Sequence, residues 1–456
     1  MIYSINPATE EQIQTFTAHT PAEVEQALAH VAAAQKQWAQ RSVAERTPLL
    51  RQVAKLLRER KAEYGALITL EMGKPVNEAE GEIEKCAWNC EFYADKAAEY
   101  LGDEVVPSSA TLSKVVYDPL GVVLAVMPWN YPFWQVMRFA APALAAGNGV
   151  VLKHANNVPQ CALAIAQLFR DAGAPEGLFV TLLVEASEVK SLIEDRRISA
   201  VTLTGSTPVG KLVASQAGAV LKKQVLELGG SDAFIVLADA DIELAAKSAV
   251  KARFQNVGQS CISAKRFIVV DAVADQFTER FCHYTAELKV GNPMQRDVTI
   301  GPLARANLRD DLHDQVQRSV AQGAKLLMGG KFVEGPGFFY EPTVLGDVTS
   351  EMAAGCEETF GPAAAIMRVK DTEAAIALAN SLDYGLGAGL WTQNLEEGAK
   401  LARRIEAGAV FINGLVASDP RYPFGGIKQS GYGRELGVHG AREFTNIKTV
   451  WIGPAK

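Results

Sequence analysis

A cysteine, a glutamate and an asparagine stand in local settings where their side chains would have unusual chemistry. Cys261 closes the run Asn256-Val257-Gly258-Gln259-Ser260-Cys261, after a glycine-bearing loop and just before an apolar strand. A thiol on such a loop is within reach of a ligand, and it becomes a nucleophile where backbone donors or positive charge favour the thiolate. Taken alone, a cysteine of this kind is more often a buried core thiol. Glu227 ends the apolar run in Val225-Leu226-Glu227-Leu228-Gly229-Gly230. It reads either as a surface carboxylate at a strand end or as a general base whose pKa an apolar pocket lifts towards the working pH. Asn130 lies within Pro128-Trp129-Asn130-Tyr131-Pro132, where two prolines hold a non-helical loop. Its amide either donates to a developing oxyanion, worth about 2.7–4 kcal/mol for one donor, or completes a rigid turn carrying aromatic plugs. Gly205-Ser206-Thr207-Pro208-Val209-Gly210 opens a helix, whose N-terminus attracts phosphate. Its G-x-x-x-x-G spacing lacks both the dinucleotide fingerprint and the lysine of a P-loop, so a simple tight turn is an equal reading.

These residues need elements to position them. Thr20-Pro21-Ala22-Glu23 and Ser42-Val43-Ala44-Glu45 are capping boxes, each predicting a helix start, and Gly73 ends the helical stretch that follows the second. A further helix is predicted over about 77–100, then two β runs at 112–117 and 121–126 joined by the turn Asp118-Pro119-Leu120-Gly121. Helix 133–146, strand 150–153, a helix from Pro159, strand 200–204 and a helix opening at Ser206 then alternate, which predicts βαβ units and a doubly wound parallel sheet. After Gly229-Gly230 the rhythm resumes with strand 234–237, helix 242–254, strand 266–270 and a helix from Val273, a second α/β module joined to the first by a hinge.

Bulk properties exclude several classes. A chain of 456 residues exceeds what one hydrophobic core spans, so two or three packed modules are expected. The net charge of −7 and scattered lysines and arginines leave no nucleic-acid footprint. The most apolar segments are broken by Pro128, Pro142, Gly147 and Asn148 and fall short of the ~18 residues a membrane span needs. Six cysteines without regular spacing and a polar N-terminal segment lacking a secretory signal fit a reducing, cytoplasmic setting. Cys86 and Cys90 share a helix face, but neither they nor the dispersed histidines form a ligand pattern, and no metal is expected.

Taken in order, the blocks resemble the aldehyde dehydrogenase superfamily over nearly the whole chain. They are P-W-N-Y-P at 128–132, the strand ending at Lys153, G-S-T-P-V-G at 205–210, E-L-G-G at 227–230, G-Q-S-C at 258–261, E-E-T-F-G-P at 357–362 and P-F-G-G-I-K-Q-S-G at 423–431. The resemblance implies an α/β fold with a Rossmann-like cofactor domain (1–100 and 120–229), a catalytic α/β domain (230–430) and a small β oligomerisation element (101–119 and 431–456), assembled as a homodimer or homotetramer. It implies oxidation of a small-molecule aldehyde by NAD or NADP. Cys261 would attack the aldehyde, Asn130 and the Cys261 backbone N–H would hold the oxyanion, and Glu227 would activate the water that hydrolyses the thioester. By the same resemblance Trp129, Asn130, Lys153, His154, Ala155, Asn156, Gly205, Ser206, Leu228, Glu358 and Phe360 would line the cofactor cleft.

Two departures carry information. Lys153-His154-Ala155-Asn156 stands where relatives have K-P-[AS]-[ES], and the neutral Asn156 removes repulsion against a 2′-phosphate, leaving NADP open beside NAD. The chain also begins a little later than typical members. Arg138 matches an arginine of succinate-semialdehyde dehydrogenases that pairs with the substrate carboxylate, and the resemblance is nearest to a short bacterial member of that kind. A second family arginine is replaced by Gln255, and Arg421 is the candidate to complete the clamp; surface ion pairing is the alternative role for both arginines. Other readings are another small aldehyde or semialdehyde, a CoA-acylating enzyme, which would not need Glu227, a non-redox thiol hydrolase, or an inactive binding protein.

Overall fold

The computed structural model describes residues 1–453. The chain opens with a hairpin, β1 (Ile2–Ile5) and β2 (Gln12–Phe16), followed by four helices, α1 (Pro21–Ala39), α2 (Val43–Glu59), α3 (Lys61–Met72) and α4 (Val76–Tyr100). Both capping boxes form, with Thr20 and Ser42 each exchanging hydrogen bonds with the glutamate three residues on. Gly73, at φ +82°, ends α3 in the left-handed conformation that glycine adopts without a Cβ penalty. The hairpin is an element that the sequence reading did not include.

The two β runs separated by Asp118-Pro119-Leu120-Gly121 do not pair with each other. The strands β3 (Glu104–Val105) and β4 (Leu112–Pro119) join β20 (Thr445–Ile452) in a separate antiparallel sheet of order β20-β4-β3. The next strand, β5 (Val122–Met127), instead starts a parallel sheet with β6 (Gly149–His154), β7 (Phe179–Thr181), β8 (Ile198–Thr204) and β9 (Lys223–Glu227). Its connections include α5 (Trp134–Ala146), α6 (Pro159–Asp171), α7 (Val189–Glu194) and α8 (Thr207–Ala219). Side chains alternate between two cores. Val123, Ala125, Val150 and Leu152 pack on α2, α4 and α5, while Val122, Leu124, Val151, Val201 and Leu203 pack on the opposite face. This period-two burial on both faces is what a doubly wound sheet requires.

The second module contains β10 (Asp232–Val236), α9 (Ile242–Phe254), β11 (Ala264–Val270), β12 (Lys325–Met328), β13 (Thr343–Gly346), β14 (Ala363–Val369), β16 (Gly387–Trp391) and β17 (Ala409–Ile412), with the short pair β15 (Tyr384–Gly385) and β18 (Ile427–Lys428) to one side. Its sheet runs β12-β13-β14-β11-β10-β16-β17 and is parallel except at the β12–β13 edge. Here too the faces alternate, Phe234 and Val236 on one side and Ala233 and Ile235 on the other.

The segment from 431 onward divides between two sheets. The strand β19 (Gly431–Tyr432) does not enter the β4–β20 sheet but pairs antiparallel with β9, placing Gly431 opposite Glu227. Residues 454–456 of the expected oligomerisation element lie outside the described residues. Gly431 has φ +110°, and a Cβ there would overlap the Leu226 carbonyl oxygen of β9. A side chain is therefore excluded by both conformation and space. Replacing Gly431 by alanine is expected to lower unfolding stability by about 1–3 kcal/mol, measured by urea titration; an unchanged midpoint would show that β9 and β19 separate without cost.

Candidate active site

The two main sheets meet in a way that brings distant residues together. Glu227 is the last residue of β9, at the C-terminal edge of the first sheet, and Cys261 precedes β11, at the N-terminal edge of the second. Asn130 follows β5 at the same edge as Glu227, and Gly205 and Ser206 follow β8. Ligands of open α/β sheets bind outside such carboxyl edges.

The loop carrying Cys261 is held in an uncommon conformation. Asn256, Val257 and Gly258 have φ of +55°, +57° and +72°, which is costly for a β-branched valine. Buried donors hold it there. Arg253 is fully buried and donates to the carbonyls of Gly258 (3.2 Å), Ala264 (3.1 Å), Thr359 (3.1 Å) and Gly361. The Asn256 side chain donates to the Asn130 and Gln259 carbonyls, each at 2.9 Å, and its backbone N–H donates to the Glu78 carboxylate at 2.7 Å. Lys265, with no exposed surface, donates to the carbonyls of Ser260 (2.9 Å) and Cys261 (2.8 Å). None of Arg253, Asn256, Lys265 and Glu78 was singled out from the sequence. Arg253 and Lys265 look like ordinary charged residues on helix and strand, and only their burial shows their use.

Asn130 is oriented from both ends of its amide. Its Oδ1 accepts from Gln135 Nε2 at 3.0 Å and its Nδ2 donates to the Gln259 carbonyl at 3.0 Å, leaving one N–H for the adjoining space. Glu227 is buried and lines the same cavity as Cys261. Burial pushes the Glu227 pKa up against the pull of Arg138. Burial, followed by the negative charge of Glu227, pushes the thiol pKa well above its usual value. Loss of charge on one member of this pair therefore eases ionisation of the other.

Cys261 and Gln135 form part of the walls of two cavities. One, of about 290 Å³, is also lined by Glu78, Lys85, Trp134, Arg138, Ser418 and Phe424. The other, of about 280 Å³, is lined by Trp129, Asn130, Thr204, Gly205, Ser206, Glu227, Leu228, Glu358 and Phe360. Most residues expected at the cofactor cleft thus line one cavity. Trp129 meets Phe360 edge-on with ring centroids 5.8 Å apart, and Glu358 accepts from the Gly230 N–H at 3.0 Å. Ser206 caps α8 without a side-chain hydrogen bond to the helix, leaving its hydroxyl available. A Cβ on Gly205 would touch only a Leu203 methyl, at 3.6 Å. These features fit a dinucleotide whose phosphates approach the start of α8.

Lys153, His154, Ala155 and Asn156 lie at the carboxyl end of β6, outside the lining of that cavity. Lys153 Nζ donates to Asn156 Oδ1 at 2.9 Å, and Asn156 donates to the exposed Glu185 carboxylate at 2.7 Å. His154 is tied to backbone groups through both ring nitrogens. Its Nδ1 accepts from the Ala155 N–H at 2.9 Å, so its Nε2 donates to the Pro132 carbonyl at 2.9 Å. Burial drops its pKa to about 4, and with both ring nitrogens occupied it is a neutral strut between β6 and the Asn130 loop.

The two arginines expected to form a clamp lie in different settings. Arg138 reaches the first cavity from α5, but its guanidinium is committed to buried carboxylates, with Nε 2.5 Å from Glu435 and Nη2 3.6 Å from Glu227. Nη2 also donates to Thr204 Oγ1 at 3.1 Å. Arg421 lies outside the cavity lining, exposed and paired with Asp419 at 2.6 Å. Asp419 accepts from both its backbone and its side chain. No group of three or more His, Cys, Asp or Glu able to hold a metal is found among the described residues.

The family model described as the aldehyde dehydrogenase family matches residues 1–450. A Synechocystis protein named "Probable succinate-semialdehyde dehydrogenase" with NADP(+) is 54% identical over 99% of this chain and 99% of its own. The NAD(P)+ succinate semialdehyde dehydrogenase Sad of Escherichia coli is 50% identical over 98% of this chain and 97% of its own. A crystal structure of succinic semialdehyde dehydrogenase from Streptococcus pyogenes, in complex with NADP+ as the cofactor, superposes with a TM-score of 0.97 at 38% identity, covering 100% of both chains.

Arg138→Leu would leave the Glu227 and Glu435 carboxylates buried without their cation, at a cost of about 3–5 kcal/mol in stability. Burial already holds the Glu435 pKa at about 7, and removing Arg138 raises both carboxyl groups further. Groups with raised folded-state pKa destabilise the fold progressively as pH rises through those values. The deficit against wild type should be largest at mildly alkaline pH and shrink as pH falls below about 7, measured by denaturant titration across pH. A deficit that grows on acidification would mean that Arg138 is not what compensates these carboxylates.

Proposed function

The chain belongs to the aldehyde dehydrogenase family, and from that premise we propose that it oxidises succinate semialdehyde to succinate with NADP or NAD. Full-length relatives at 50–54% identity bear names for this activity, and the solved S. pyogenes structure bears the same one with NADP+. The observation that carries the chemical part is the placement of Cys261 between two cavities, with Glu227 and the free N–H of Asn130 facing it.

In this reading the aldehyde enters the cavity lined by Trp134 and Phe424, and the Cys261 thiolate attacks its carbonyl carbon. The Asn130 amide and the Cys261 backbone N–H hold the oxyanion, already oriented by Gln135 and the Gln259 carbonyl. The nicotinamide, when bound, supplies the acceptor for the hydride that leaves this carbon. The thioester left on Cys261 is then hydrolysed by a water that Glu227 deprotonates, and burial suits Glu227 to this step by raising its pKa towards neutrality. Trp129, Gly205, Ser206, Leu228, Glu358 and Phe360 would hold the dinucleotide, with Lys153 and Asn156 at its ribose end. Residues 1–100 with 120–229 would serve as the cofactor domain and 230–430 as the catalytic domain. The β4–β20 sheet, which exposes Val105, Ile447 and Trp451, would join copies into a homodimer or homotetramer.

The decisive experiment is a burst measurement on Glu227→Gln. Cofactor reduction should occur for one turnover and then stall, because acylation needs the thiol while deacylation needs the base. Equal loss of burst and steady rate would mean that Glu227 is also indispensable for activating Cys261; wild-type turnover would remove it from the mechanism.

Cofactor choice is tested at Asn156. Its neutral amide lies between Lys153 and Glu185, so Asn156→Glu adds a carboxylate beside any 2′-phosphate. The KM for NADP should rise about tenfold or more relative to that for NAD. A parallel change for both cofactors would place residue 156 away from the ribose.

A further inference from the structure

The first cavity contains a cation that the reaction scheme has not used. Lys85 projects from α4, with Nζ 2.9 Å from Ser418 Oγ and 4.2 Å from the centroid of the Trp134 ring. Two cations line this cavity, Lys85 and Arg138, and Arg138 is paired with Glu435 and Glu227. Lys85 has no carboxylate at ion-pair distance among the described residues, because the acids around it are engaged elsewhere. Glu82, on the same helix, pairs with Lys74 and accepts from the backbone N–H groups of Phe133 (2.8 Å) and Trp134 (2.9 Å). Asp419 is held by Arg421, and Glu78 by the Asn256 N–H.

An ammonium bonded to one hydroxyl and resting on an aromatic face retains donors for a ligand. Burial, with Arg138 acting in the same direction, lowers the Lys85 pKa to about 8, so the side chain stays mostly protonated at neutral pH. A partly buried, uncompensated positive charge is costly unless an anion joins it. Its cavity is the one that reaches Cys261 on the side away from the cofactor residues.

We propose that Lys85 receives the terminal carboxylate of the substrate, with the aldehyde carbon at Cys261. This inference rests on the succinate-semialdehyde reading and assigns its charge selectivity to a helix residue far in sequence from every family motif named above. The carboxylate would complete a neutral pair inside the cavity, whereas an aldehyde ending in a methyl group would leave the ammonium uncompensated.

The test compares succinate semialdehyde with butanal, which has the same chain length without the carboxylate, in wild type, Lys85→Met and Lys85→Arg. In Lys85→Met the ratio of kcat/KM values, charged over neutral, should fall by about thirtyfold or more, chiefly through KM for succinate semialdehyde, while Lys85→Arg retains most of the preference. Lys85→Gln, which keeps a donor to Ser418, gives the same ratio if the methionine variant does not fold. A ratio that stays at the wild-type value, or activities that fall in parallel on both substrates, would overturn the assignment of Lys85 while leaving the succinate-semialdehyde reading intact. A wild-type enzyme with no preference between the two aldehydes would overturn that reading and the Lys85 assignment with it.

Discussion

The geometry of this site depends on backbone carbonyls being satisfied by buried cations. Arg253 and Lys265 are among the most completely buried charged side chains of the protein, and both spend their donors mainly on the carbonyl groups around Cys261. Burial lowers the Arg253 pKa to about 9 and moves that of Lys265 in the same direction. That cost of desolvation is met by carbonyls that would otherwise be unpaired in a loop with three left-handed residues. Removing either cation would release the loop and expose those carbonyls at once, so the nucleophile's position is coupled to the integrity of the second sheet.

A second electrostatic arrangement is built on top of this frame. Arg138, Glu227 and Glu435 form a buried set with two acids and one base, and neither acid has the hydrogen bonds of an ordinary buried carboxylate. Burial raises both pKa values, and the single guanidinium of Arg138 offsets that only in part. In the proposed reading this imbalance suits Glu227 to the part of a base. A fully paired Glu227 would be a weaker base, and one with no cation nearby would remain protonated at working pH.

Much of the fold was legible because both main sheets alternate strictly with helices and because burial on two faces leaves continuous apolar runs such as Val122–Met127. Helix starts at Thr20 and Ser42 were legible through local capping chemistry, and the helix 242–254 through its periodicity and Asp241 cap. The strands from 325 onward were not read, since several are only four or five residues long and are defined by long-range pairing. Cys261, Glu227 and Asn130 were recoverable from ordered motifs. Arg138 was found for its identity but its pairing was not foreseen, because its partner Glu435 lies almost 300 residues away and ion pairing at that separation leaves no local pattern. Lys85 had no motif at all: helical periodicity identifies its helix, but not that its neighbours' charges are already spent.

The chemistry and the selectivity of the site thus have different tolerances to substitution. Residues that place Cys261, Glu227 and Asn130 act on backbone groups from several elements, so each change strands partners in the interior and is expensive. In the proposed reading Asn156 and Lys85 would sit at opposite ends of the ligand path, and both are held by fewer contacts: Asn156 by Lys153 and Glu185, Lys85 by Ser418 and the face of Trp134. A change at either end alters the charge met by a phosphate or a carboxylate without dismantling the loop at the centre. On that reading the same frame would accept different cofactors and acids through single substitutions at its ends, whereas a change in the reaction itself would require the two sheets to meet differently.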